Sequence, residues 1–493
     1  MKKQKIFAIA ALCAAVVLIL LYFLVIEKLP ASDGSETAET TQAPLEDEVI
    51  NESGRTLLFP KCERENIRSV EIYNSYGKYT VYKNVEDTFV LSGFEELSID
   101  PTVLSSVVVG AGYPLTMNRI TENAEDLSEY GLDPEKDDPA WYRLTTTDDQ
   151  QYKIYIGKKL VSGAGYYVCR EGSTAVYVIT TSLMDALLLG KENIVAKQIT
   201  PPMSSNQIMN VSRFAFAKGE EPMVSVKMIT EEEAGELGLD INYQIVVPKG
   251  YNINVSTYTG ALECFTTFEA TEIVAVGITK AKLEKYGLAD APYTIIYELN
   301  GEEVYLTVSE KTEEGTYYVA SHNNDVIGVY PADSLSFLDT DFIRWVDQSI
   351  YMVNINEIAE LKIESNRVNE TFTLEGEGQE LVVTTSEGLK PEVKNFRQFY
   401  KTLLSTYIQG YSELSEEEIA AAQEKVPQRT FTYTTRAGKT TVYKFFNITE
   451  RKSICLIDGE GGEFYYLYTH ANKISSDCIK IINGEPVDSE DRN

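Results

Sequence analysis

The sequence predicts an α+β protein: an N-terminal transmembrane helix followed by three diverged repeats of antiparallel sheet with covering helices. Three observations lead there. An uncharged apolar run opens the chain, Ile6 to Ile26. A short strand motif, Ile67-Arg-Ser-Val70-Glu-Ile72, recurs at Val211-Ser-Arg-Phe214-Ala-Phe216 and Ile358-Ala-Glu-Leu361-Lys-Ile363, at spacings of 144 and 147 residues. A strand–turn–strand segment follows at a matching place in each interval, and self-similarity at a fixed period is the mark of a repeated unit.

The run IFAIAALCAAVVLILLYFLVI holds twenty-one residues. At about 1.5 Å per helical residue it reaches across a hydrocarbon core of about 30 Å. A cleaved signal peptide would carry a shorter apolar stretch and a small-x-small cleavage site. Here Glu27-Lys28-Leu29-Pro30 follows instead, and Leu12 before Cys13 is not the small residue that lipidation prefers. Lys2, Lys3 and Lys5 precede the run. The positive-inside rule therefore places residues 1–5 in the cytoplasm, 6–26 across the cell membrane as a single-pass signal-anchor, and the remainder outside.

Residues 27–56 read as an acidic linker. Ala31 to Gly54 is rich in Ser, Thr and Glu and nearly free of large apolar groups. Such a segment buries too little surface to offset its chain entropy, so a disordered tether is expected. Three units then follow at 57–200, 201–347 and 348–484, the last diverged, with a disordered tail at 485–493.

Within each unit the first strand leads through a turn into a second: Tyr79 to Tyr82, Val224 to Lys227, Thr371 to Leu374. Later come Trp141-Tyr-Arg-Leu into Tyr152-Lys-Ile-Tyr-Ile-Gly157, Tyr293-Thr-Ile-Ile into Val304-Tyr-Leu-Thr-Val308, and Phe431-Thr-Tyr-Thr into Thr441-Val-Tyr-Lys-Phe-Phe446. Asp, Asn or Gly occupies each intervening tip, as hairpins favour. Two further strands close each unit.

Helix is expected between these segments. Asp100-Pro101 pairs an N-cap with Pro at the first helical position. Lys390-Pro391 precedes Val393, Phe396, Tyr400 and Leu403, spaced for one helical face. Leu127-Ser-Glu-Tyr130-Gly131-Leu132 matches Leu283-Glu-Lys-Tyr286-Gly287-Leu288. Both read as Schellman stops, in which Gly131 and Gly287 turn left-handed while Leu132 and Leu288 pack back on the preceding turn. The third unit has Lys425-Val426-Pro427 instead.

The Tyr-Gly-Leu stops, the Gly165-Tyr-Tyr-Val168 strand and its echo Gly315-Thr-Tyr-Tyr-Val319 give the chain its family likeness. It resembles the bacterial domain of unknown function numbered 4340, in at least two tandem copies over roughly 67–342. Members of that family resemble auxiliary proteins of ABC export systems related to gliding-motility transporters. The resemblance therefore implies an ABC-type permease and its extracytoplasmic subunits as partners. It carries over no catalytic residue.

Composition narrows the function classes. Setting aside Lys2, Lys3, Lys5, Lys28 and Glu27 from 44 basic and 75 acidic residues leaves 40 against 74, a net of −34 outside the anchor. Such a surface repels nucleic acid and anionic lipid. Cys62, Cys169, Cys264, Cys455 and Cys478 lie far apart with no C-x-x-C, which is neither a disulfide framework nor a zinc site. Buried free thiols are expected, with a Cys455–Cys478 pairing left open by the spacing.

Catalytic chemistry finds little foothold. The two histidines, His322 and His470, fall in distant units, and no Gly-Lys phosphate loop or G-x-S-x-G is present. Asp137-Asp138 and Asp148-Asp149 are neighbours whose side chains should diverge. Asp458-Gly-Glu-Gly-Gly-Glu463 lacks the alternating oxygen ligands of a calcium loop and reads as a hairpin turn. No catalytic, cofactor-binding or metal residue is expected; Gly131, Leu132, Gly287 and Leu288 are structural.

The leading expectation is a non-enzymatic, membrane-anchored accessory protein of an ABC-type export complex. One alternative is a cell-surface or cell-wall glycan-binding module using some of the 32 tyrosines. A second is an extracellular hydrolase with an unrecognised carboxylate site.

Overall fold

The computed structural model describes residues 44–487, apart from 47, 220, 238–240, 351 and 352. The expected N-terminus 1–5, transmembrane helix 6–26 and first part of the linker lie outside the described residues, as does 488–493. Among the described residues no helix is long and apolar enough to cross a membrane.

The expectation of disorder through residue 56 needs correction. β1 (Val49–Ile50) and β2 (Thr56–Leu57) form a hairpin, and Leu57, Leu58 and Phe59 are buried. Glu48 fixes this segment: its carboxylate meets the Arg119 guanidinium at 2.7 Å and accepts from the Tyr177 hydroxyl at 2.8 Å. Composition missed it because a few anchoring residues, rather than average hydropathy, order the segment. The tail expectation is corrected likewise for residues 485–487. The Asn395 amide donates to the Glu485 carbonyl and accepts from the Val487 amide, and Val487 joins the third core.

The first sheet comprises β3 (Ile67–Asn74), β4 (Gly77–Lys83), β5 (Phe89–Leu91), β6 (Thr116–Thr121), β7 (Ala140–Thr146), β8 (Gln151–Lys159), β9 (Gly165–Arg170) and β10 (Val176–Thr180). The second comprises β11 (Val211–Lys218), β12 (Glu221–Met228), β13 (Tyr243–Val247), β14 (Glu272–Val276), β15 (Tyr293–Leu299), β16 (Glu302–Val308), β17 (Thr316–Ser321) and β18 (Val326–Pro331). The third comprises β19 (Ile358–Ser365), β20 (Asn369–Glu375), β21 (Val382–Thr384), β22 (Gly410–Tyr411), β23 (Arg429–Thr435), β24 (Thr440–Asn447), β25 (Lys452–Ile457) and β26 (Glu460–Leu467).

All three sheets are antiparallel, eight-stranded and identically ordered: β5-β4-β3-β7-β8-β9-β10-β6, then β13-β12-β11-β15-β16-β17-β18-β14, then β21-β20-β19-β23-β24-β25-β26-β22. The fold is therefore α+β, with three copies of one sheet topology.

The recurring first-strand motif has a specific physical cause. Its three apolar residues stand at positions 1, 4 and 6, and strict alternation would turn the first away from the others. Each copy shifts register after its first residue, between Ile67 and Ser69, Val211 and Arg213, and Ile358 and Glu360. A bulge of this kind absorbs one residue and restores the inward face. All nine motif residues are accordingly fully buried.

Helices cover one face of each sheet. Pro101–Gly112, capped by the Asp100 carboxylate on the Thr102 and Val103 amides, packs on β3 and β7. Val255–Glu263, capped by Asn254, sets Tyr258 edge-on against Phe214 at 5.8 Å. Val393–Leu404 buries Phe396, Phe399, Tyr400 and Leu403 in the third core, beside Tyr468–Ile482 with Ala471, Ile474, Cys478 and Ile481. That first helix starts at Val393 behind Glu392, not at Lys390-Pro391.

Smaller apolar clusters form around the shorter helices: Leu132, Cys169 and Val176 in the first unit, Ala275, Leu288, Ala320 and Ile327 in the second, and Ala422, Phe446, Ile454 and Leu456 in the third.

Packing divides the chain into two compact units, one ending at Ala196 and one beginning at Lys197 and holding both the second and third sheets. Within that second unit, Tyr251, from the loop after β13, is 4% exposed and packs edge-on against Phe464 of β26 at 5.2 Å. It belongs to the core of the third sheet.

Candidate functional site

The residues singled out as helix stops sit at helix ends. Gly131 (φ +69°) caps a 3-10 turn, Leu127–Tyr130, rather than a full α-helix, and the Leu132 amide donates to the Leu127 carbonyl at 3.0 Å. Gly287 (φ +68°) follows Lys280–Lys285 and Tyr286; the Leu288 amide donates to the Leu283 carbonyl at 2.8 Å and the Gly287 amide to Glu284 at 3.3 Å. These are the two bonds of a Schellman motif. Leu132 lies against Leu127, and Leu288 against Leu283, in the clusters named above.

The histidines do not meet. His322 follows β17, bonds Thr307 through Nε2 at 2.8 Å and stacks on Tyr305 at 4.6 Å. Burial pushes its pKa down, against the opposing pull of Asp325. His470 lies in the first turn of the last helix.

The acidic pairs diverge. Asp137 accepts from the Asp133 amide, Asp138 from the Tyr73 hydroxyl, Asp148 from Thr146, and Asp149 from Arg68. Asp458 and Gly459 form the β25–β26 turn and Glu460 to Glu463 lie in β26, with the Asp458 carboxylate accepting from the Val442 amide. Among the described residues no group of His, Cys, Asp and Glu could hold a metal ion. All five cysteines named above are free, with Cys169, Cys455 and Cys478 buried.

What the sequence did not mark is a cleft of about 350 Å³ in the second compact unit. One side is residues 241–255, with Tyr243, Gln244 and Ile245 of the edge strand β13 and then Lys249 and Asn252. The other is the hairpin-tip end of the third sheet, with Tyr433, Lys439, Tyr443, Asp458 and Glu460. The Tyr251 insertion positions these walls, together with an Asp347 amide bond to the Asn252 carbonyl at 2.7 Å and an ion pair between Lys249 and Glu460 at 2.5 Å.

Electrostatics in the cleft are uneven. Burial holds the half-buried Lys439 ammonium below its usual range, although Asp458 opposes the shift. Behind the wall, burial pushes up both the Tyr251 phenol and the Glu463 carboxyl. No short motif announces the cleft, since its residues come from segments about 190 positions apart.

The sequence matches a family model. The model for a domain of unknown function (DUF4340) matches residues 95–288 and again 244–428, and the chain belongs to this family. The matched segments do not coincide with single sheets: the first runs from just before the helix Pro101–Gly112 to the Leu288 stop. Neither the curated proteins nor the solved structures contain a match to this chain.

Proposed function

We propose that the chain is a non-enzymatic accessory protein of an ABC-type export complex. It is held in the cell membrane by Ile6–Ile26 with its sheets on the outer side, and it acts by contact with the permease and associated extracytoplasmic subunits. The observation that carries this reading is one uncharged twenty-one-residue run, lysines on its N-terminal side, joined to family domains in tandem. Repeated antiparallel sheets offer open edges and broad faces, which bind partners through backbone and shape rather than through a reactive cluster.

Crosslinking in intact cells, followed by purification in detergent, is expected to recover membrane-embedded transporter subunits with this chain. Protease added outside wall-stripped cells is expected to remove the sheets. A protected full-length chain would overturn the orientation. A chain that purifies alone while binding cell-wall glycan would favour the binding-module alternative.

A further inference from the structure

The strands β7, β15 and β23 hold the same place in the three sheet orders and have seven residues each, yet they begin differently, with Ala140, Tyr293 and Arg429. Arg429 is 5% exposed. The third sheet therefore buries a guanidinium where the other two carry a neutral side chain.

That charge has no carboxylate partner among the described residues. Nη2 donates to the Asn472 side-chain oxygen at 2.9 Å, and the guanidinium lies over the Tyr468 ring at 4.9 Å. Nε and Nη1 are buried without a hydrogen-bond partner. A guanidinium cannot shed its proton to escape burial, and a buried charge left unpaired is strongly destabilising.

Tyr468 and Asn472 are the first and fifth residues of Tyr468–Ile482, the longest helix among the described residues. Its N-cap, Leu467, supplies no side-chain acceptor, and its first turn holds no acidic residue. The Tyr468 amide donates to the Arg451 carbonyl at 2.9 Å, which leaves the Thr469 and His470 amides, donors that a helix cannot satisfy itself.

We propose that Arg429 and the start of this helix together bind a small inorganic anion, of halide or phosphate size. The guanidinium supplies a full charge, and the helix end supplies free N–H groups and the positive pole of its dipole. These two features are independent and call for the same sign. The burial of Arg429 admits an ion rather than a larger molecule. The chain carries a net charge of −31, so such binding would be local and not the work of a generally basic surface. None of these residues lines the cleft described above, and the site stands independently of the transporter reading.

The test uses the full chain in detergent, titrated calorimetrically with chloride, bromide or inorganic phosphate while gluconate holds the ionic strength constant. The wild type is expected to bind at least one of them saturably, one ion per chain. Arg429→Met should bind that ion at least tenfold more weakly, as loss of a charge-assisted bond implies. Crystals of the wild type grown in bromide, or in phosphate where only phosphate binds, locate the ion without any variant, and it is expected within hydrogen-bonding reach of Arg429. The proposal is overturned if no anion binds saturably, or if Arg429→Met binds as tightly as the wild type. It is equally overturned if the crystals show only water beside the guanidinium.

Discussion

The second and third sheets share a strand order and an inward-facing, bulged first strand, and in both the short helix beside the sheet is capped at its start, yet the two helices end differently. In the second, the Thr279 hydroxyl accepts from the Lys282 amide at the start of Lys280–Lys285, and at its end Gly287 turns left-handed and Leu288 folds back on Leu283. In the third, Glu416–Gln423 has the fuller start and no left-handed stop. There Ser415 accepts from the Glu418 amide while the Glu418 carboxylate accepts from the Ser415 amide, a complete capping box. Its end at Glu424 stays right-handed. The fold needs an apolar lid at this place, Leu288 in one sheet and Ala422 with Ile419 in the other, and forms it with or without a left-handed stop at the helix end.

If that is so, the helix ends should differ in their sensitivity to substitution. The largest effect is expected at Gly131 in the first unit. A Cβ there meets the Lys158 side chain at 2.9 Å and its backbone nitrogen at 3.3 Å, in addition to the positive φ. Gly287 has the same φ but no neighbour nearer than 4.0 Å. Gly287→Val should therefore cost only the left-handed penalty of about 1–2 kcal/mol, and Gly131→Val clearly more. Urea titration can read both, with Trp141 reporting the first unit and Trp345 the second. Equal losses would show that the close approach of Lys158 is inconsequential.

A smaller loss, about 1 kcal/mol, is expected for Ser415→Ala, which removes the capping box of the third sheet. No loss would mean that the capping box does not hold this helix in place.

The smallest effect is conditional on pH. His322 has a lowered folded pKa, so the stability it contributes is complete above its unfolded value of about 6.5 and is lost as pH falls through the folded value. The urea midpoint of the wild type should therefore drop more between pH 7.5 and pH 5 than that of His322→Asn. Parallel drops would remove His322 from the account.

Much of this architecture is written locally. The motif at Ile67, Val211 and Ile358 repeats because each inner face needs three apolar residues around a bulge, and local spacing records that demand. The bulge was not read from the sequence: an apolar interval of three followed by two departs from strict alternation, and the register shift explains it only once the strand pairing is known. Gly131 and Gly287 were legible because only a backbone without Cβ takes that turn cheaply. The hairpin at 49–57 was not, because its order rests on Glu48 meeting Arg119 and Tyr177, a contact across more than 70 positions. The cleft was hidden for the same reason. Lys439 is an unremarkable turn lysine until the loop after β13 is laid against it, and nothing near residue 439 or residue 251 encodes that proximity.

Tyr251 carries a consequence for the order of assembly. The third sheet completes its core with a side chain made about 200 residues before the strands that surround it. Contacts of such long sequence separation are slow to form, because the intervening chain must first be confined. Synthesis from the N-terminus works in their favour: the second sheet can fold while the ribosome is still making β19 to β26. The loop carrying Tyr251 is then already placed when its acceptor strands emerge, so the C-terminal sheet condenses on a template rather than closing a long loop unaided.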